Sequence, residues 1–249
     1  MVSAISYRGV VKSLLEVAVH RVDDVAGAVE GGADRLTLDV GGRSPDVPTA
    51  AAVLRAATAG GVPVRVMLRL DDTFTTTGSD LVRMVGLAEE YLALGAEGLL
   101  LGFLDVDLEV DVATTTALAE SLPGVPWTFH RAIDATLDLA RSWRRVVGLP
   151  GLTAVSSGGS PQGLSHGYDD LLALVGSDPA VARLLVASGG LDAEQVPWLA
   201  RAGVHQFRVG HQVRPGGSPR AFVDAGLVRS WRLLLDGPAV SRADRTETS

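Results

Sequence analysis

The sequence predicts a single-domain (β/α)8 barrel of the TIM type, and three observations carry that prediction. The chain has 249 residues, close to the length of one such barrel. A helix-ending glycine followed by a short apolar run recurs along it, and the runs begin 21 to 34 residues apart. That is the period of a strand–helix unit repeated eight times. Hydrophobic residues make up 47% of the chain but aromatic ones only 5%, so the core is aliphatic, as suits a parallel sheet covered by helices.

The first strand is Leu14–Val19, with residues 1–13 as an N-terminal extension. Gly31-Gly32-Ala33-Asp34 introduces a second strand, Arg35–Leu38, and Gly60-Gly61-Val62-Pro63 a third at 64–68. Gly95 precedes the fourth, Gly98–Leu101; Gly124 the fifth, at 126–129; Gly151 the sixth, at 153–156. The seventh is expected at 183–187, and Gly203 precedes the eighth, Gln206–Val209. Glycine marks each boundary because it adopts the left-handed conformation that ends a helix. Helical stretches lie between, such as 80–94 with Leu81, Met84, Val85, Ala88 and Leu92 on one face. Asp192 with Gln195 three residues on reads as a capping box opening the seventh helix. A doubly wound open sheet is the structural alternative, but the chain has no linker and no second domain. The barrel is placed within residues 1–236, and the polar tail 237–249 is expected to be disordered.

Alternate side chains of a barrel strand point inward. If Leu15, Val17 and Val19 face the helices, Glu16, Ala18 and His20 face in. The same phase sends Arg35, Thr37 and Asp39 inward, then Arg65, Met67 and Arg69, then Thr128 and His130, and finally Gln206, Arg208 and Gly210. A barrel interior is normally aliphatic, because an unpaired buried charge costs several kcal/mol. These groups must therefore pair with one another, meet water or face a ligand. Arg35 and Arg65, at strand starts, belong to an internal ion-pair network, and Glu16 divides evenly between that network and a site. Asp39, Arg69, His130 and Arg208 lie near the strand C-terminal ends, where barrel active sites are built.

Three loops could hold an anion: Ser156-Ser157-Gly158-Gly159 after strand six, Ser188-Gly189-Gly190 after strand seven, and Gly210-His211 after strand eight. Glycines there let backbone N–H groups approach a phosphate, with Arg208 close by. The candidate ligand-binding residues are thus Ser157, Gly158, Gly189, Gly190, Arg208 and Gly210. An enzyme acting on a small anionic metabolite would use His130 as general acid or base. Glu16 or Asp105 would be its carboxylate partner, with Arg69 and Arg208 as the anion clamp.

Net charge is −7, from 22 basic and 29 acidic residues, which argues against nucleic acid or an anionic membrane as partner. With no cysteine, disulfides and zinc–thiolate sites are excluded. The five histidines (20, 130, 166, 205 and 211) show no close ligand spacing. No signal-peptide pattern precedes Lys12 and no apolar run reaches ~18 residues, so a cytoplasmic location is expected. A small anion and a second copy of the chain stay open as partners, and the sequence leaves any cofactor unknown.

Gly102-Phe103-Leu104-Asp105-Val106-Asp107 with Val110-Asp111, and Thr128-Phe129-His130-Arg131-Ala132-Ile133-Asp134, resemble the G-x-L-D-x-D-G-x-x-D and T-F-H-R-A-F-D segments of the CutC family. Gly31 to Leu36 and Met67-Leu68-Arg69 are similar to two further segments, and order and spacing agree from about Leu14 to Asp236. The resemblance implies a TIM-type barrel and a cytoplasmic protein linked by name to copper homeostasis. It carries over Glu16, Arg69, Asp105, Asp107, His130, Arg131, Asp134, Ser157 and Gly158 as family-like positions. Thr37 stands where the family has a glutamate, Asp39 at the second of two cysteine positions, and Arg208 where a histidine is usual. Leu70-Asp71 replaces the family's proline and arginine. Cu(I) prefers thiolate and thioether ligands. With Met1, Met67 and Met84 as the only sulfur-bearing residues, a tight Cu(I) site is not expected.

Overall fold

In a computed structural model, which describes residues 12–237, eight parallel strands close into a barrel in sequence order. The strands are β1 (Leu14–Val19), β2 (Arg35–Leu38), β3 (Val64–Met67), β4 (Gly98–Leu101), β5 (Trp127–Phe129), β6 (Leu152–Ser157), β7 (Leu185–Ala187) and β8 (Gln206–Val209). Around them run α1 (Asp23–Gly31), α2 (Val47–Ala59), α3 (Gly78–Ala93), α4 (Val112–Ser121), α5 (Leu139–Val146), α6 (Leu164–Ser177), α7 (Pro179–Leu184), α8 (Val196–Arg201) and α9 (Ala225–Asp236). The N-terminal extension, apart from Lys12 and Ser13, and the tail beyond Gly237 lie outside the described residues.

Local chemistry sets the boundaries. Asp46, Thr77, Asp111, Asp138 and Asp224 each cap a helix by accepting a backbone N–H of its first turn. Several glycines at helix ends are left-handed as expected, for example Gly32 (φ 92°) and Gly203 (φ 94°), whereas Gly60, which ends α2, stays right-handed at φ −84°. The expected bounds of β3, β5 and β6 shift by one residue, to Met67 at the end of β3, Trp127 at the start of β5 and Leu152–Ser157 for β6, and two further boundaries move more. Arg183 belongs to α7, a short helix capped by Asp178 with Pro179 at its first position, so β7 starts at Leu185. The seventh-strand helix opens at Val196 rather than Asp192. Only half of the box forms, with the Gln195 side chain accepting the Asp192 N–H at 2.9 Å.

Leu15, Val17, Val19, Leu36, Leu38, Val64, Val66, Leu68, Trp127, Phe129, Phe207 and Val209 all join the apolar layer between barrel and helices. That is the predicted phase, and it turns Glu16, Thr37, Arg65, Thr128, His130 and Arg208 toward the axis. The barrel interior is therefore polar, and the hydrophobic stabilisation resides in the outer shell. Asp24 and Arg214, both buried, form a bidentate pair at 2.9 and 2.8 Å that fastens the loop after β8 to the start of α1.

Candidate functional site

The lower half of the axis is an ion-pair network. Arg65 makes a bidentate contact with Glu97 (2.8 and 3.2 Å) and donates to Thr128 at 2.6 Å. Glu16, fully buried, accepts from Arg35 Nε at 2.6 Å, from the Thr37 hydroxyl and from Arg208 Nε. Burial pushes its carboxyl up, but Arg208, Arg35 and these hydrogen bonds overcome that and hold it far below the usual carboxylate range. With both oxygens engaged, Glu16 pairs with two arginines, leaving a net positive charge, and is not placed to take a proton. The expectation that it partners His130 is corrected.

Above this network two buried donor atoms have no partner among the described residues: His130 Nε2 and Arg208 Nη2. Arg208 reaches from β8 across the barrel, its Nη1 donating to Ser156 at 3.1 Å, and Ser156 in turn bonds Ser188 at 2.8 Å. His130 is 3% exposed and heads a 3-10 turn, residues Arg131–Ala135, whose Ala132 N–H it accepts on Nδ1 at 3.1 Å. An acceptor Nδ1 places the proton of the neutral ring on Nε2. Burial, with Arg69 and Arg208 close enough to add repulsion, pushes the ring down to about 3. His130 is thus a neutral N–H donor across the physiological range.

Arg69 gathers the loops after β2 and β3. It donates to the carbonyls of Thr73 (3.2 Å), Gly42 (3.3 Å) and Asp72, and its guanidinium stacks 4.4 Å from the centre of the Phe74 ring. Phe74 lies against His130, ring centres 5.7 Å apart. The β3–α3 loop therefore covers the imidazole. No carboxylate among the described residues bridges to Arg69, so its charge joins that of Arg208 above the network. Nothing in the sequence pattern marked Phe74, which sits in a polar loop.

The remaining motif residues turn inward on the protein. Asp134 fills the glycine loop after β6, accepting from Ser157 Oγ (2.5 Å), Gly158 N–H (2.9 Å), Gly159 N–H (3.2 Å) and Arg131 Nε (2.8 Å). Burial raises the Asp134 carboxyl against the opposing pull of Arg131 and these donors. Arg131 also donates to Ser160 O at 2.9 Å and lies flat on Gly189, where a Cβ would come within 2.7 Å of its guanidinium carbon. Ser157 and Gly158 are thus occupied by an internal carboxylate where a bound anion was expected. Gly210 N–H donates to the Gln212 side chain at 2.9 Å. The N–H groups of Gly189 and Gly190 remain without a partner among the described residues. Asp105 closes its own loop, accepting from Asp107 N–H (3.0 Å) and Glu109 N–H (2.9 Å), and makes no bond to His130.

The donor set does not fit copper. Among the described residues no three His, Cys, Asp or Glu side chains cluster as metal ligands. Met67 faces the barrel axis, whereas Met84 packs on α3 in the outer shell. The unpartnered imidazole nitrogen carries a proton and sits beside two arginines, which repel a cation.

A profile of the CutC family matches residues 13–212. A family protein CutC from Xylella fastidiosa is 33% identical over 200 residues, covering 78% of this chain and 73% of the relative. One from Klebsiella pneumoniae is 26% identical over 247 residues, 94% of this chain and 97% of the relative. Among solved structures, CutC from Streptococcus agalactiae, described in terms of copper homeostasis, superposes with a TM-score of 0.69 at 23% identity. The match covers 80% of this chain and 98% of that one. No helix of the described residues is long and apolar enough to cross a membrane.

Proposed function

This chain belongs to the CutC family, and from that premise we propose that its barrel binds a small anionic metabolite at the C-terminal end of the axis. One observation carries the reading: two buried donors, Arg208 Nη2 and His130 Nε2–H, have no acceptor among the described residues. An unsatisfied buried donor costs about 1–3 kcal/mol, more when charged, and an anion between these two would satisfy both. Arg69 adds charge at the rim, and the unpartnered N–H groups of Gly189 and Gly190 extend the donor surface. The arrangement is one of donors only. His130 polarises an oxygen by a hydrogen bond rather than removing a proton, because its other nitrogen is held by Ala132 N–H. Access requires the β3–α3 loop to lift Phe74 from the imidazole.

Inorganic phosphate against chloride at matched ionic strength tests this in a melting experiment. A ligand of the folded state adds about 2.7 kcal/mol at a hundred times its Kd. Arg208→Lys keeps a cation beside Glu16 but removes Nη2, and should lose the phosphate gain. Arg144→Ala, on the exposed face of α5, should keep it. General exclusion of phosphate from protein surface would stabilise all three alike, and that result would refute the reading.

A further inference from the structure

His20 also faces the mouth, and its tautomer is fixed in the opposite sense to that of His130. It follows β1, one step beyond the helix-facing Val19 and two beyond the inward Ala18. Its side chain is 33% exposed. Nδ1 lies 3.0 Å from the backbone carbonyl of Asp39 and 3.7 Å from the Asp39 carboxylate. Both are acceptors, so Nδ1 carries the proton and Nε2 of the neutral ring presents a lone pair. Asp39 is itself held, its Oδ1 accepting the Gly42 N–H at 2.9 Å. No protein group bonds His20 Nε2 among the described residues.

The closed strand order places β1 four strands from β5 in either direction, so the two histidines stand on opposite walls. The interior of an eight-stranded barrel is only wide enough for side chains or one small ligand. A molecule held between these walls therefore meets donors on one side and an acceptor on the other. We propose that the mouth selects a small hydroxy carboxylic acid. His130 Nε2–H and Arg208 Nη2 receive its carboxylate, and its hydroxyl donates to His20 Nε2. A plain carboxylate satisfies the first wall and leaves the second unmet. Ala18, Met67 and Leu100, inward-facing on β1, β3 and β4, are apolar, which suits a short carbon chain; on the His20 wall the Asp39 carboxylate lies on the Nδ1 side and already accepts the Gly42 N–H, leaving His20 Nε2 as the unengaged acceptor of that pair.

This inference deepens the anion reading and rests on it, and one calorimetric experiment separates the two. The full chain is titrated with glycolate and 3-hydroxypropionate, and with acetate and propionate as partners lacking the hydroxyl. At least one hydroxy acid should bind about tenfold tighter than its partner. His20→Phe should erase that preference while leaving acetate and propionate unchanged. Arg208→Lys should weaken all four. Nitrogen-15 NMR of the histidine rings should place the proton on Nδ1 of His20 and on Nε2 of His130. Equal binding of hydroxylated and plain acids, a preference that survives in His20→Phe, or a proton on Nε2 of His20 overturns the inference while the anion site stands. If phosphate binds at Arg208 and no carboxylate does, the hydroxy acid assignment alone is wrong. If no anion binds, both readings fall.

Discussion

Asp134→Ala should convert the glycine loop after β6 into an anion site. In the native chain the carboxylate accepts four hydrogen bonds, from Arg131, Ser157, Gly158 and Gly159. Removing one partner of a buried pair costs about 3–5 kcal/mol. Here Arg131 is 35% exposed and water can reach it, so the lower end, about 3 kcal/mol, is the expected loss. For a chain of this size that lowers Tm by roughly 6–12 °C. The substitution leaves a guanidinium, a hydroxyl and two backbone N–H groups around a carboxylate-sized space. Phosphate at a hundred times its Kd should then restore about 2.7 kcal/mol. The assay is thermal unfolding in phosphate and in chloride, in an Arg208→Lys background so that the barrel mouth contributes nothing. The variant should gain several degrees more from phosphate than its parent does, and Arg131→Ala added to it should abolish the excess. Equal gains in variant and parent would show that the loop holds Asp134 by packing alone and is no anion cradle.

Stability should fall as pH drops, in two stages. His130 is depressed to about 3, so the unfolded state binds its proton first and stability declines from about pH 6.5 downward. Glu16 and Asp24 are lowered by their arginines and hydrogen bonds. Their contribution is present above about pH 4 and is lost progressively below it. Urea midpoints from pH 8 to 3 test this, and His130→Asn should flatten only the upper stage. Glu16→Gln should cost about 3–5 kcal/mol, because it leaves Arg35 and Arg208 without their counter-charge; a midpoint shift worth under 1 kcal/mol would contradict the network. Phe74→Ala should expose the His130 ring and speed deuterium exchange at its C2 position at least tenfold, for about 1–2 kcal/mol of stability, since Phe74 is only half-buried; an unchanged rate would mean that the loop does not control access. Competition with a Cu(I) chelator should leave the chain without stoichiometric copper, and a one-to-one complex of sub-nanomolar affinity would show the donor-set reasoning wrong.

The barrel was legible because its signals are local. Each helix-ending glycine, each capping aspartate and the alternation of each strand is read within a few residues, and the wall and axis positions followed. The boundary before β7 was not, since Arg183 reads equally well as the end of a short helix or the start of a strand. Partner choice at the site was less accessible still. Glu16, Asp105 and Asp134 are all carboxylates near glycine turns or strands. Only the closed barrel shows that the first pairs with two arginines, the second ties its own loop and the third fills a loop more than twenty residues away. His20 was visible as an inward residue, but its tautomer depends on the Asp39 carbonyl of the neighbouring strand.

Three bonds join early and late segments of the chain, one on the axis and two in the outer layer: Glu16 with Arg208 across 192 residues, Asp24 with Arg214 across 190 and Asp34 with Arg232 across 198. On a ribosome adding roughly 5–20 residues per second, Glu16 waits about 10–40 s for its partner in β8. Through that interval β1 has no neighbour on one edge, and the Glu16 carboxylate has only Arg35 and Thr37 of β2. The first half of this barrel is therefore expected to be unstable as a fragment, and the whole chain should become protected from proteases only once the last strand is released. A chain truncated before Arg208 should be degraded as an open sheet, however complete its first seven strands.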